Sequence, residues 1–219
     1  MSRYAVYGVP GIETGAPAVA VRLRAAVENW YGEWPDVTVH PRRYGFHATL
    51  KAPFSLAEGV TPAALEAAVS DFAAQHDAVT LPAVRPTEIG SFRALVPTGD
   101  AAEVNALEAQ LVRALEPLRA PLTDADIARR RPEQLTARQR ELLEDVGYPY
   151  ALDEFRCHLT LTDSLTSGEI ADAVDAAIAA HFADFDGVDV PMGALAVFEE
   201  PHRGEPFRIH SIHPFRESA

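Results

Sequence analysis

His47 and His158 each begin a His-x-Thr-Leu tetrapeptide, His47-Ala48-Thr49-Leu50 and His158-Leu159-Thr160-Leu161. On an extended strand residues i and i+2 share a face. His47 with Thr49, and His158 with Thr160, therefore point one way, while Ala48, Leu50, Leu159 and Leu161 point the other. Brought to one cleft, two imidazoles and two hydroxyls suit a phosphodiester. One histidine takes a proton from the attacking oxygen and the other gives one to the leaving oxygen. Imidazole fits both roles because its ordinary pKa, about 6.5, lies near neutrality. The hydroxyls donate to the non-bridging phosphoryl oxygens, where charge is concentrated. Two such similar motifs leave open which histidine is the acid and which the base.

The faces extend past the motifs. Lys51 stands four residues after His47, Thr162 holds the corresponding place after His158, and Arg156 precedes His158 by two. With Thr49 and Thr160 these are the candidate phosphate-binding groups. Arg42, Arg43 and Arg93 are looser candidates for substrate contact, as are Tyr44, Tyr148 and Tyr150 beside the motifs; Arg203 and Arg208 are remoter cations. The other histidines read as structural or surface groups. His76 and His181 fall at helix C-termini, where an imidazole suits the helix dipole. His40 and His202 fall in loops, and His210 and His213 lack a following threonine.

Elements must carry these residues. Strands are expected over 4–9, 43–54, 78–84, 88–96, 155–162, 188–190, 194–199 and 207–213. Helices are expected over 17–31, from Thr61-Pro62 to about Gln75, from Asp100 with Val104, Leu107, Leu111 and Leu115 on one face, and from Ser167 to Phe182. The halves can be overlaid: the two motifs match, the helices after them match, and Val79-Thr80-Leu81-Pro82 meets Val188-Asp189-Val190-Pro191. The offset from motif histidine to that strand is 32 residues in the first half and 30 in the second. This points to duplication: one two-lobed α+β domain over 1–219, with pseudo-repeats near 1–99 and 100–219. An insertion, 119–154, breaks the symmetry. It carries helix starts at Thr123 and at the capping box Thr136-Ala137-Arg138-Gln139, and Gly147 ends the second of these helices. A lid, a specificity element, a surface ornament and a dimer contact all remain open for it.

The totals bound the partners. The net charge of −13 argues against coating duplex nucleic acid or docking on anionic lipid, yet allows a locally basic cleft for a small phosphoester or a single RNA end. No apolar run approaches the roughly 20 residues of a membrane helix. The N-terminus enters a strand-like run without the pattern of a signal peptide, and the single cysteine, Cys157, fits a reducing compartment, so a cytoplasmic location is expected. Composition does not set the oligomeric state.

The paired motifs resemble those of the two-histidine (2H) phosphoesterase superfamily, whose members include RNA 2′,3′-cyclic phosphodiesterases, 2′-5′ RNA ligase-like proteins and ADP-ribose cyclic phosphodiesterases. The longer stretches Arg43-Tyr44-Gly45-Phe46-His47-Ala48-Thr49-Leu50-Lys51-Ala52-Pro53-Phe54, Gly147-Tyr148-Pro149-Tyr150 and Phe155-Arg156-Cys157-His158-Leu159-Thr160-Leu161-Thr162 resemble a bacterial branch labelled as phosphonate-metabolism proteins, whose genes often lie with carbon–phosphorus lyase genes. The resemblance implies a duplicated fold in which antiparallel sheets line a central cleft with helices outside. It also implies a metal-independent hydrolase without cofactor, acting on a cyclic phosphodiester or nucleotide-like substrate. His47 and His158 would be its catalytic pair, and Thr49 and Thr160 its phosphate donors.

Three rivals stand beside this reading. A metal enzyme would gather Asp153, Glu154 or Asp163 around the histidines, but there is no His-x-His, no His-x-x-x-His and no cysteine cluster. A binding module would hold a nucleotide without turnover, for which two titrating imidazoles are unnecessary. An RNA ligase would run the same pair in reverse, and the acidic total disfavours long RNA.

Overall fold

The computed structural model of the chain describes residues 2–216. Eight strands form one antiparallel sheet: β1 Arg3–Gly8, β2 Ala48–Phe54, β3 Val79–Ile89, β4 Phe92–Pro97, β5 Leu159–Thr160, β6 Val188–Met192, β7 Ala194–Glu200 and β8 Arg208–Pro214. Their order is β6-β3-β4-β5-β2-β1-β7-β8, which puts the two motif strands side by side at the centre. Seven helices accompany them: α1 Ala18–Glu33, α2 Val39–Tyr44, α3 Pro62–Gln75, α4 Ala102–Leu115, α5 Asp124–Arg129, α6 Ala137–Val146 and α7 Glu169–His181.

Alternation along the strands separates the faces. In β1, Tyr4 and Val6 join the main core under the helices, while Ala5 and Tyr7 join a smaller apolar cluster with Ala196, Phe198 and Phe207. The helices close the main core with stripes at helical spacing: Leu23, Val27 and Trp30 from α1, Leu65, Val69 and Phe72 from α3, Val104, Leu107, Leu111 and Leu115 from α4, and Val174 and Ile178 from α7. Local signals set several boundaries. The Thr61 side chain accepts from the Ala64 N–H with Pro62 at the first turn, and Thr123 and Thr136 each form a complete capping box. Among the described residues no helix is long and apolar enough to cross a membrane.

The α+β class and the antiparallel sheet agree with expectation, but the half-sheets do not coincide with the halves of the sequence. The His47 strand is flanked by β1, β7 and β8, and the His158 strand by β4, β3 and β6, so each half-sheet draws on both ends of the chain. The segments 79–82 and 188–191, which the overlay equates, are neighbours: Thr80 pairs with Pro191 and Leu81 with Val190.

Four element assignments change. The strands expected at 78–84 and 88–96 divide later: β3 runs unbroken to Ile89, and the Gly90-Ser91 turn separates it from β4, which starts at Phe92. Residues 39–44 are helical, and strand β2 starts only at Ala48; Gly45, at φ 73° and ψ −177°, ends the helix in a conformation essentially reserved for glycine. Of 155–162 only Leu159–Thr160 is strand: the ladder ends where the Leu161 and Thr162 N–H groups converge on one acceptor, the Arg93 carbonyl. The N-cap of α7 is Gly168 rather than Ser167, with no side-chain cap.

Candidate active site: two histidines at the heads of adjacent strands

Ala48 pairs with Leu159 across β2 and β5. In an antiparallel pair this register sets His47 opposite Thr160 and Thr49 opposite His158. Ala48, Leu50, Leu159 and Leu161 are buried in the main core, so both His–Thr pairs face away from the helices. The two-residue β5 is anchored from the core side: the Trp30 indole N–H donates to the Leu161 carbonyl at 3.0 Å and the Tyr31 hydroxyl to the Thr160 carbonyl at 2.6 Å.

Both imidazoles are held alike. Nδ1 of His47 lies 2.8 Å from the Gly45 carbonyl, and Nδ1 of His158 lies 2.8 Å from the Arg156 carbonyl. A carbonyl only accepts, so each Nδ1 carries the proton and each neutral ring keeps its lone pair on Nε2. For His47 that nitrogen is 3.2 Å from the Thr49 hydroxyl.

The surroundings differ. Tyr7 stacks on His47, centroids 3.9 Å apart and planes inclined at 23°, whereas Phe92 lies tilted 5.6 Å from His158. Burial pushes His47 down to about 4, against the opposing pull of the Gly45 carbonyl, and the charge of His158 pushes the same way. His158 is also lowered, chiefly by burial, with its carbonyl partner opposing and the Arg156 charge assisting. The lone cysteine offers no alternative nucleophile: burial raises the Cys157 thiol to about 12.

The cleft comprises two cavities that share Thr49, Phe54, Phe92 and Tyr148. The first, of about 710 Å³, exposes His47 and Thr160; the second, of about 630 Å³, exposes His158. Arg3, Arg43, Arg119, Arg129, Arg130 and Arg203 line the first against the acids Asp126, Asp163 and Glu200, a basic surplus in an acidic chain. The second is mostly aromatic and aliphatic, with Lys51 and Glu108 buried in its wall. The insertion walls both: Arg119, Leu122 and Tyr148 line each cavity.

The remaining candidates divide. Arg43 and Tyr44 line the first cavity, Arg156 and Tyr150 the second, and Tyr148 both. Lys51 lines the second, but its ammonium is engaged by Glu116 at 2.7 Å. Three corrections follow. Arg42 donates to the Thr38 and Pro35 carbonyls and lines neither cavity. Arg93 forms a two-pronged pair with Asp175 of α7, at 2.6 and 2.8 Å, and also lines neither. Thr162 lines the first cavity, but it is buried past the end of β5, where its hydroxyl donates to the Asp163 carbonyl and accepts from the Arg93 N–H, leaving it no proton for a substrate. Residue-type reasoning missed Tyr7 and the insertion's arginines. Tyr7 showed only as part of a strand, and nothing periodic marks Arg119, Arg129 and Arg130. Among the described residues no group of three or more His, Cys, Asp or Glu side chains is placed to hold a metal ion.

The family described as "Protein of unknown function (DUF1045)" matches residues 49–208, which span the second residue pair of the first motif and the whole of the second. The chain belongs to the DUF1045 family. Two curated relatives of this DUF1045 chain are named ribose 1,5-bisphosphate phosphokinase PhnN. The one from Janthinobacterium sp. (strain Marseille) is 39% identical over 175 residues, 78% of the chain and 39% of the relative. The one from Laribacter hongkongensis (strain HLHK9) is 36% identical over 218 residues, 94% of the chain and 50% of the relative. The DUF1045 chain thus spans half or less of the length of these relatives. Among solved structures, TT0787 of Thermus thermophilus shares the fold, at a TM-score of 0.54 and 14% identity, covering 99% of this chain and all of that one.

Proposed function

We propose that the chain is a phosphoesterase that opens a cyclic phosphodiester, or a related small phosphoester, with His47 and His158 as its acid–base pair. The observation that carries this reading is the matched pair of imidazoles at the heads of adjacent strands, each fixed through Nδ1 to a carbonyl two residues back with Nε2 left for proton transfer. Neutral His47, the more enclosed, takes a proton from water as the water oxygen bonds to phosphorus. The P–O bond to the leaving oxygen breaks, and protonated His158 gives that oxygen its proton. Solvent exchange then returns both imidazoles to their starting states. The Thr49 and Thr160 hydroxyls donate to the non-bridging oxygens. Thr49 must exchange its contact with His47 for one with substrate.

The kinase named for the longer relatives is not carried over. Lys51 is the sole lysine, and no Gly-x-x-x-x-Gly-Lys-Ser/Thr loop surrounds it. Their names do bring ribose phosphates into the candidate substrates, consistent with a place in phosphonate or nucleotide metabolism.

The test is turnover of nucleoside 2′,3′-cyclic phosphates, ribose 1,2-cyclic phosphate and ADP-ribose cyclic phosphate in EDTA, with wild type and His47→Ala/His158→Ala. Hydrolysis that resists the chelator and is lost in the double variant is expected. Substrate recovered intact from folded, ligand-bound wild type would instead indicate a binding module.

A further inference from the structure

The basic surplus of the first cavity is organised by two carboxylates. Asp126 of α5 accepts from Arg129 and, at 2.6 Å, from Arg203 between β7 and β8. It is fixed in turn by the hydroxyl and N–H of Thr123, and these contacts hold its carboxyl well below the usual range despite partial burial. Asp126 thus ties the insertion to the opposite rim. Buried Glu200 accepts from Arg3 at 2.6 Å and lies 3.9 Å from Arg43. Two carboxylates therefore hold four guanidiniums.

Arg119, the fifth, donates to Glu116 at 2.7 Å. Arg130 is the sixth. Among the described residues it has neither an ion-pair partner nor a side-chain hydrogen bond, and its guanidinium lies over the Tyr148 ring at 4.8 Å from the centroid. Stacking fixes the plane of the guanidinium while leaving its donors open. Such unspent, pre-oriented donors match a phosphate, which takes two parallel N–H bonds from one guanidinium. A cavity of about 710 Å³ has room for much more than one phosphoryl group.

We propose that Arg130, flanked by Arg129 and Arg203, forms a second anion-binding subsite, and that the substrate carries a second phosphate remote from the one attacked between the histidines. The catalytic half of this statement rests on the phosphoesterase reading; the binding half does not. The substrate class is then a sugar or nucleoside cyclic phosphate bearing a separate phosphomonoester. The insertion is its specificity element, since it supplies Arg129, Arg130 and the Tyr148 ring beneath Arg130.

The test compares kcat/KM for adenosine 2′,3′-cyclic phosphate with and without a 5′-phosphate. Wild type should prefer the 5′-phosphorylated substrate at least tenfold, and Arg130→Gln should bring that ratio towards one. A wild-type ratio near one, or a ratio unchanged by Arg130→Gln, overturns the subsite. If neither compound turns over, the failure belongs to the phosphoesterase reading, and calorimetric titration with ribose 5-phosphate decides the subsite. Binding weakened at least tenfold by Arg130→Gln upholds it; absent binding, or binding indifferent to the substitution, overturns it.

Discussion

The Tyr7 ring lies flat against the His47 imidazole, centroids 3.9 Å apart, in register with the motif because Tyr7 pairs with Thr49 across β1 and β2. This contact removes one face of His47 from water, and burial is the largest cause of its low pKa, about 4. His158 is lowered from 6.5 as well. With His47 as base and His158 as acid, kcat/KM rises as His47 loses its proton through about 4 and falls as His158 loses its own below 6.5. The pH profile should therefore be a bell with its maximum on the acid side of neutrality. A flat profile from pH 5 to 9, or a maximum above 7, would contradict the assignment.

Substitution should separate proton transfer from phosphate binding. His47→Ala and His158→Ala each remove an acid–base group and should lower kcat by roughly 10²- to 10⁴-fold. Thr49→Ala and Thr160→Ala each remove one donor to a charged oxygen, roughly 1.5–3 kcal/mol or about 10- to 100-fold. Single-turnover rates on a competent substrate check the ranking. A histidine variant with full turnover would remove that residue from the mechanism.

Gly45 connects backbone geometry to this chemistry. At φ 73° and ψ −177° it directs its carbonyl at Nδ1 of His47, and nothing lies within 4 Å of where a Cβ would be added. The cost of Gly45→Ala is then conformational rather than steric, of order 1–3 kcal/mol. Relief of that strain should rotate the carbonyl off the imidazole, so kcat should fall together with the denaturant midpoint. Loss of stability with intact kcat would show that the carbonyl does not position the ring.

What the sequence made legible follows from periodicity. The strand period of two placed His47, Thr49, His158 and Thr160 on one face because each motif histidine runs straight into its strand, β2 from Ala48 and β5 from Leu159. The same rule failed just beyond. Strand β2 shifts register against β1 between Thr49 and Phe54, so Lys51 reaches Glu116 rather than an open phosphate position. Strand β5 ends at Thr160, and Thr162 turns into the backbone. Arg93 looked available as a strand cation, but its partner Asp175 lies 82 residues away on α7. Apart from Arg3 on β1, the arginines of the first cavity come from short helices and loops, whose direction no local pattern encodes.

Glu108 supplies a test of the second cavity's wall. It is 2% exposed, and burial raises its pKa to about 7, with the Leu152 N–H and the Lys51 charge opposing. A carboxyl whose pKa is higher folded than unfolded binds more protons in the folded state, so its contribution to stability is lost as pH rises from about 4.5 through about 7. Above that range the buried carboxylate costs on the order of 3 kcal/mol at about 1.4 kcal/mol per pKa unit. Glu108→Gln keeps an acceptor for the Leu152 N–H without the charge. Relative to wild type it should gain stability at pH 8 by roughly 1–3 kcal/mol, the shortfall reflecting lost attraction to Lys51, and change little at pH 5. Urea midpoints at the two pH values read this directly. A variant less stable than wild type at pH 8 would mean that the Glu108–Lys51 attraction outweighs the burial of the charge.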